Sequence, residues 1–218
     1  FWKLTALVGL LLGVRAVFAY FYLLMPKYWL RTYGGDAAIG TLNAINPLII
    51  VFGLVLFIPF ANRFNLFKML TYGAVVSALS LFILAMPWQL FGSDIADAHY
   101  WMAAISIVVL SIGEIVWSPK LSEYTAAVAP KGQEGTYLGF TMIPWFVAKM
   151  IVSALSGHML ARWCPEDIGK QMTQGTVAYF DSPAAMWLLL GVVAMAGVLL
   201  AIALKPWFVK GARWTVEQ

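Results

Sequence analysis

Six long apolar runs, separated by short polar clusters, organise the chain: Leu4 to Met25, Ile39 to Ala61, Leu66 to Met86, Tyr100 to Trp117, Tyr137 to Ala161 and Ala184 to Phe208. A helix crossing a hydrocarbon core of roughly 30 Å needs about 20 predominantly apolar residues, and each run comes close to that length. A transmembrane barrel is excluded, because its strands alternate apolar with polar positions and are about half as long. The pattern predicts an all-α membrane protein, a bundle of six transmembrane helices. Turn and breaker residues fall between the runs, at Tyr33-Gly34-Gly35-Asp36, Asn62-Arg63-Phe64-Asn65, Pro87 to His99, Pro130-Lys131-Gly132 and Arg162 to Pro183. No interval is large enough for a soluble domain, so residues 1–218 form one unit. Pairs of small residues four apart (Gly9 and Gly13, Gly135 and Gly139, Ser153 and Gly157) are expected to let helix backbones approach closely.

Composition supports the membrane assignment: only 11% of the residues are charged and 62% are hydrophobic, whereas about a quarter of a soluble chain is charged. The net charge of +4 does not point to nucleic acid, since the basic residues stand as ones and twos between apolar runs and never cluster with aromatics. Their distribution instead predicts orientation. With the N-terminus cytoplasmic, that side carries eight basic residues, Lys3, Arg63, Lys68, Lys120, Lys131, Lys205, Lys210 and Arg213, against four on the other, Lys27, Arg31, Arg162 and Lys170. Both ends are therefore expected in the cytoplasm, the bundle lying in the plasma or inner membrane. The chain opens at Phe1 with no signal-peptide pattern, and is read as a fragment lacking its natural N-terminus.

Sorting the charges this way leaves Arg15, Glu114 and Lys149 inside the runs. Arg15 is eleven residues past Leu4 and Lys149 twelve past Tyr137, which places both roughly 16 to 18 Å along their helices, near the bilayer midplane. A charge there costs about 3 kcal/mol on the mildest scale, so these side chains should face the bundle interior or a water-filled cavity. In the fifth run Thr141, Trp145, Lys149 and Ser153 recur every four residues as one polar and aromatic stripe; in the fourth, Ser111, Glu114, Ser118 and Ser122 do the same. Two readings follow: a buried structural ion pair joining two helices, or the wall of a solute or proton pathway. Asn46-Pro47, Ser118-Pro119 and Ile143-Pro144 add expected helix breaks beside the same residues.

Other chemistries are missing from the sequence. His99 and His158 stand alone, without a second ligand at helical spacing, and the single cysteine, Cys164, allows no intrachain disulfide or CxxC site; it is read as an inert loop or helix-end residue. No HExxH, Walker, GxGxxG or GxSxG pattern occurs. Neither an enzyme nor a cofactor is expected.

The segment Gly113-Glu114 through Ser118-Pro119 to Ala129-Pro130-Lys131 resembles the GE-x-x-x-SP and APK signature in the tenth helix of proton-dependent oligopeptide transporters, a branch of the major facilitator superfamily. Leu42 to Leu48, with Asn46-Pro47-Leu48, is similar to that family's eighth-helix LNPL, and Trp145-Phe146-Val147-Ala148 to its eleventh-helix WFLA. The resemblance spans roughly residues 37 to 160 and implies the C-terminal half of a twelve-helix transporter. In such a protein two six-helix bundles rock around a central cavity and import a peptide-like solute with protons. By position it implies that Glu114 meets the peptide's amino end and pairs with a lysine of the N-terminal half, and that Asn46 and Trp145 line the peptide site. Lys149 stands where the family has a small or acidic residue, and Arg15 has no counterpart of the family's first-span glutamate; both changes point to a more anionic solute. The expected partners are therefore a small-molecule or peptide substrate, protons, lipid and an N-terminal six-helix half, with Arg15, Asn46, Glu114, Trp145 and Lys149 at the substrate site and Glu114 coupling protons. The alternative is a non-transporting six-helix scaffold or accessory subunit.

Overall fold

The computed structural model describes residues 2–34, 38–61 and 63–209, and all its regular structure among them is helical. The expected turn residues Gly35, Asp36 and Asn62, and the basic residues Lys210 and Arg213, lie outside the described residues, as does the side chain of Lys3. The helices are α1 Trp2–Leu10, α2 Leu12–Leu23, α3 Met25–Tyr33, α4 Ile39–Ala61, α5 Leu66–Leu84, α6 Ile95–Val128, α7 Glu134–Phe140, α8 Ile143–Trp163, α9 Ile168–Thr173, α10 Pro183–Ala203 and α11 Lys205–Val209.

Five segments among the described residues are long and apolar enough to cross a membrane: α4, α5, α6, α7 with α8, and α10. The expected first span, Leu4 to Met25, is not a single helix. It divides at Leu11, where the path nevertheless stays helical because Leu11 N–H donates to the Leu7 carbonyl and Arg15 N–H to the Leu11 carbonyl, both at 3.0 Å. Gly9 and Gly13 flank the interruption, and glycine is where an α-helix yields most easily. Farther along, the ring of Pro26 would collide with the Tyr22 carbonyl of a continuous helix, so α2 stops at Leu23 and α3 starts afresh.

Proline acts unevenly elsewhere. Pro144 opens α8 and its ring displaces the Phe140 carbonyl, which is where α7 ends. Helix α4 runs through Pro47 and Pro59, and α6 through Pro119. Capping sets other boundaries: Asn65 Oδ1 accepts from Phe67 and Lys68 N–H, and Asp94 Oδ2 accepts from Ala96 and Asp97 N–H, which starts α6 well before the expected Tyr100. The fourth span is therefore much longer than Tyr100 to Trp117, and both His99 and Lys120 belong to helix rather than to the flanking loops.

Helix α5 packs most extensively on α6; α4 adds to α6, α10 to α5 and α2, and α8 to α2. The close approach of α5 and α6 is made at Gly73 and Gly113, not at the small-residue pairs expected from spacing. Of those, Gly9, Gly135, Gly139 and Gly157 have open space where a side chain would go, and only Gly13 meets another helix, at Ala194 of α10. The long polar stretch after α8 is folded onto the bundle: Arg31 donates to the Cys164 carbonyl at 2.6 Å, and Tyr179 to the Ala85 carbonyl at 3.0 Å.

Candidate functional site

The middle of α6 carries Glu114, and α4 meets it there. Asn46 Nδ2 donates to Glu114 Oε2 at 3.0 Å and to Ser111 Oγ at 2.9 Å, while the Ser111 hydroxyl donates back to the Ile107 carbonyl of its own helix at 2.7 Å. Asn46 and Ser111 are buried and Glu114 is half-buried. Proline at position 47 has no N–H to offer the Asn43 carbonyl, so the turn of α4 holding Asn46 already lacks one helical hydrogen bond. Asn43 Oδ1, on the same turn, is buried without a hydrogen-bond partner. Tyr22 of α2 stands within electrostatic reach of the carboxylate.

Arg15 is almost wholly enclosed, 7% exposed, with its guanidinium carbon 6.0 Å from the centroid of Trp117 and its Nε without a hydrogen-bond partner. Trp117 is fixed from the other side by its own Nε1, which donates to Ser77 Oγ at 3.1 Å, and Phe18 packs beside it at 6.0 Å between centroids. Since Trp117 follows Glu114 by three residues, it brings the Arg15 cation about one helical turn from the level of the carboxylate. Lys149 takes a comparable arrangement on α8, its Nζ standing 4.7 Å from the centroid of Trp145.

The structure thus joins Asn46 with Glu114, and Trp145 with Lys149, and seats Arg15 on a third group. It does not join Glu114 to either cation. Among the described residues the ion pairs within 4.0 Å are Arg31 with Glu166, Lys120 with Glu123 and Arg162 with Asp181. The direct ion pair between α6 and α8 offered by the two stripes is not formed, because α8 packs on α2 whereas α6 packs on α5 and α4.

Two participants escape the sequence reading. Trp117 has the signal of position, one turn from Glu114 on the same face. Lys120, expected on the cytoplasmic side beyond the fourth span, is 3% exposed inside α6, its Nζ 2.6 Å from Glu123 Oε2. The i, i+3 spacing of Lys120 and Glu123 was the available clue. His99, in the second turn of α6, is buried with Nδ1 2.6 Å from the Tyr28 hydroxyl, and Tyr33 donates to its backbone carbonyl. Compared with known proteins, the chain matches no family model, no curated protein and no solved structure.

Proposed function

We propose that this chain is the C-terminal half of a major-facilitator-type secondary transporter, similar to the proton-dependent oligopeptide branch, which moves a small anionic or peptide-like solute with protons by alternating access. The observation that carries the reading is the state of Glu114: a half-buried carboxylate at the middle of a spanning helix, bonded to Asn46, with no cation within 4.0 Å among the described residues. Such a group is completed by a proton, a solute ammonium or a cation from another part of the protein. Lys149, half-buried and resting on a tryptophan instead of a carboxylate, keeps its charge available to an anion, while the enclosed Arg15 adds positive charge to the same bundle.

The segmented rod of α1 and α2 serves as the first of six spans in this reading. Helices α4 and α8 are the least buried of the spans and expose Val51, Phe52 and Val55 on one and Phe146 and Met150 on the other. In the proposed transporter part of that surface packs against the N-terminal half, with both ends of this chain in the cytoplasm and the assembly in the plasma or inner membrane. The membrane-scaffold alternative needs no such carboxylate.

The test is uptake by proteoliposomes holding the full-length protein, screened at two pH values with di- and tripeptides and small organic anions. Accumulation driven by an inward proton gradient is expected, with Glu114→Gln abolishing accumulation while counterflow exchange continues. Uptake indifferent to the gradient, or accumulation unchanged in Glu114→Gln, removes the proton role; no uptake of any solute favours the scaffold.

A further inference from the structure

A crevice of about 740 Å³ runs between α2, α8 and α10, and neither Asn46 nor Glu114 lines it. Its walls are built from small and aliphatic residues, among them Gly9, Ala16, Leu155 and Val193, and Leu155 and Val193 are about half exposed toward what would be the bilayer. The polar groups are not spread along it. His158, Arg162 and Trp163 line it toward the C-terminal end of α8, and Tyr20 joins them from α2, while Gly9, Gly13 and Gly197 line it farther along.

Length and polarity together describe an occupant. Gly9 to Tyr20 and Ala148 to Trp163 measure about 17 and 23 Å along their helices, against about 20 Å for one leaflet with its headgroup region. An apolar crevice open to a bilayer is filled by hydrocarbon, because water there would find no hydrogen-bonding partners. Arg162 gives one of its five donors to Asp181, at 2.6 Å, and is 59% exposed in its side chain, so the remaining donors can meet an anionic oxygen at the mouth. His158 offers a ring nitrogen beside it, and Trp163 is held at that level by its bond to the Phe180 carbonyl at 3.1 Å. We propose that this crevice is a binding site for one phospholipid, its acyl chain lying between α2, α8 and α10 and its phosphate meeting Arg162 and His158. The site is separate from the Asn46–Glu114 pair and does not depend on the chain being a transporter.

The experiment is native mass spectrometry of the full-length protein released from nanodiscs of mixed phosphatidylethanolamine and phosphatidylglycerol, followed by titration of the delipidated protein with each lipid. One phospholipid retained through washing is expected. Gly9→Phe, which projects a ring into space where nothing lies within 4 Å of a β-carbon, should lose that lipid with an unchanged helical circular-dichroism spectrum. Leu155→Trp, on a partly exposed position, fills the same crevice and decides the matter if the first variant does not fold. Arg162→Gln should weaken phospholipid roughly tenfold, the size of one charge-assisted hydrogen bond, and leave binding of an uncharged alkyl glycoside unchanged. No retained lipid, equal retention by both filling variants, or alkyl glycoside bound as tightly as phospholipid would each overturn the proposal.

Discussion

Asn46 Nδ2 lies 3.0 Å from Glu114 Oε2, and the same amide nitrogen lies 2.9 Å from Ser111 Oγ, so one side chain of α4 spends both its donors on α6. The bond joins the two spanning helices at the turn where Pro47 has already removed a backbone donor from α4. A ligand or proton that changes what Glu114 requires therefore acts on a turn where α4 lacks one of its own hydrogen bonds.

Asn46→Leu should destabilise the protein by about 1–3 kcal/mol, the cost of leaving a partly buried acceptor unsatisfied. Glu114→Gln alone should cost less, because an amide oxygen can still accept from Asn46. The pair is in direct contact, so the double variant should depart from additivity by about 0.5–3 kcal/mol. Denaturation of the four proteins in mixed micelles, followed by circular dichroism, measures the coupling; strict additivity would mean that the contact carries no energy.

Glycine positions give opposite expectations according to what surrounds them. A β-carbon on Gly113 would stand 2.5 Å from the Ser77 amide nitrogen and 2.7 Å from the Gly73 carbonyl oxygen, both backbone atoms that cannot swing aside. Gly113→Ala should therefore force α5 and α6 apart at a cost of about 1–3 kcal/mol. Gly157 has nothing within 4 Å of that position, and Gly157→Ala should be neutral or stabilising by up to about 1 kcal/mol through helix propensity alone. Equal shifts in the two thermal unfolding curves would contradict the packing assigned to Gly113.

These glycines show where the sequence was legible and where it was not. Apolar run length located the five long spanning segments, because a membrane demands that feature of any helix. The midplane depth expected for Arg15 and Lys149 rests on counting residues along their runs. Small-residue spacing, however, says only that a helix could approach a neighbour, and which neighbour it meets depends on tertiary packing; Gly73 and Gly113 therefore went unnoticed while Gly135, Gly139 and Gly157 were overvalued. The fourth span, expected to end at Trp117, is longer in the structure for a related reason. Hydropathy ends a span at the first charge, whereas the helix continues as long as its backbone bonds are satisfied, here to Val128. The facing of Glu114 toward Asn46, instead of toward Lys149, rests on helix neighbours that one sequence does not specify.

Cys164 ends α8 in full burial, its carbonyl accepting from Arg31 and its thiol pushed up from an ordinary value of 9.0 to about 12 by loss of solvent, with Arg31 pulling modestly the other way. Only the thiolate reacts with maleimide. Raising the pH through 9 should thus accelerate labelling of the unfolded chain and leave the native protein slow until the pH approaches 12. Arg31→Gln, by releasing the backbone after α8, should raise native labelling through exposure. Rapid modification of the native protein at pH 8 would contradict the burial.

Lys149 decides between the two meanings of the charged stripe. Its Nζ lies 4.7 Å from the Trp145 centroid and, among the described residues, no carboxylate comes within 4.0 Å. A cation resting on an aromatic face in a partly open site contributes about 0.5–1 kcal/mol. Lys149→Met should accordingly leave the unfolding transition nearly unchanged. In the proposed transporter anionic solutes should suffer far more, since a compact ammonium partly withdrawn from water attracts carboxylate several-fold more strongly than one in bulk solvent. Uptake of small organic anions should fall on the order of tenfold or more, the loss of a charge-assisted contact, while uptake of neutral peptides changes little. Trp145→Leu should weaken the same anions to a smaller degree, because it removes the surface that positions the ammonium but not the charge. If Lys149 instead balanced Glu114 across the bundle, Lys149→Met would destabilise the protein, Glu114→Gln would restore it, and the solute profile would stay the same. A selectivity change that Glu114→Gln does not reverse is the expected result.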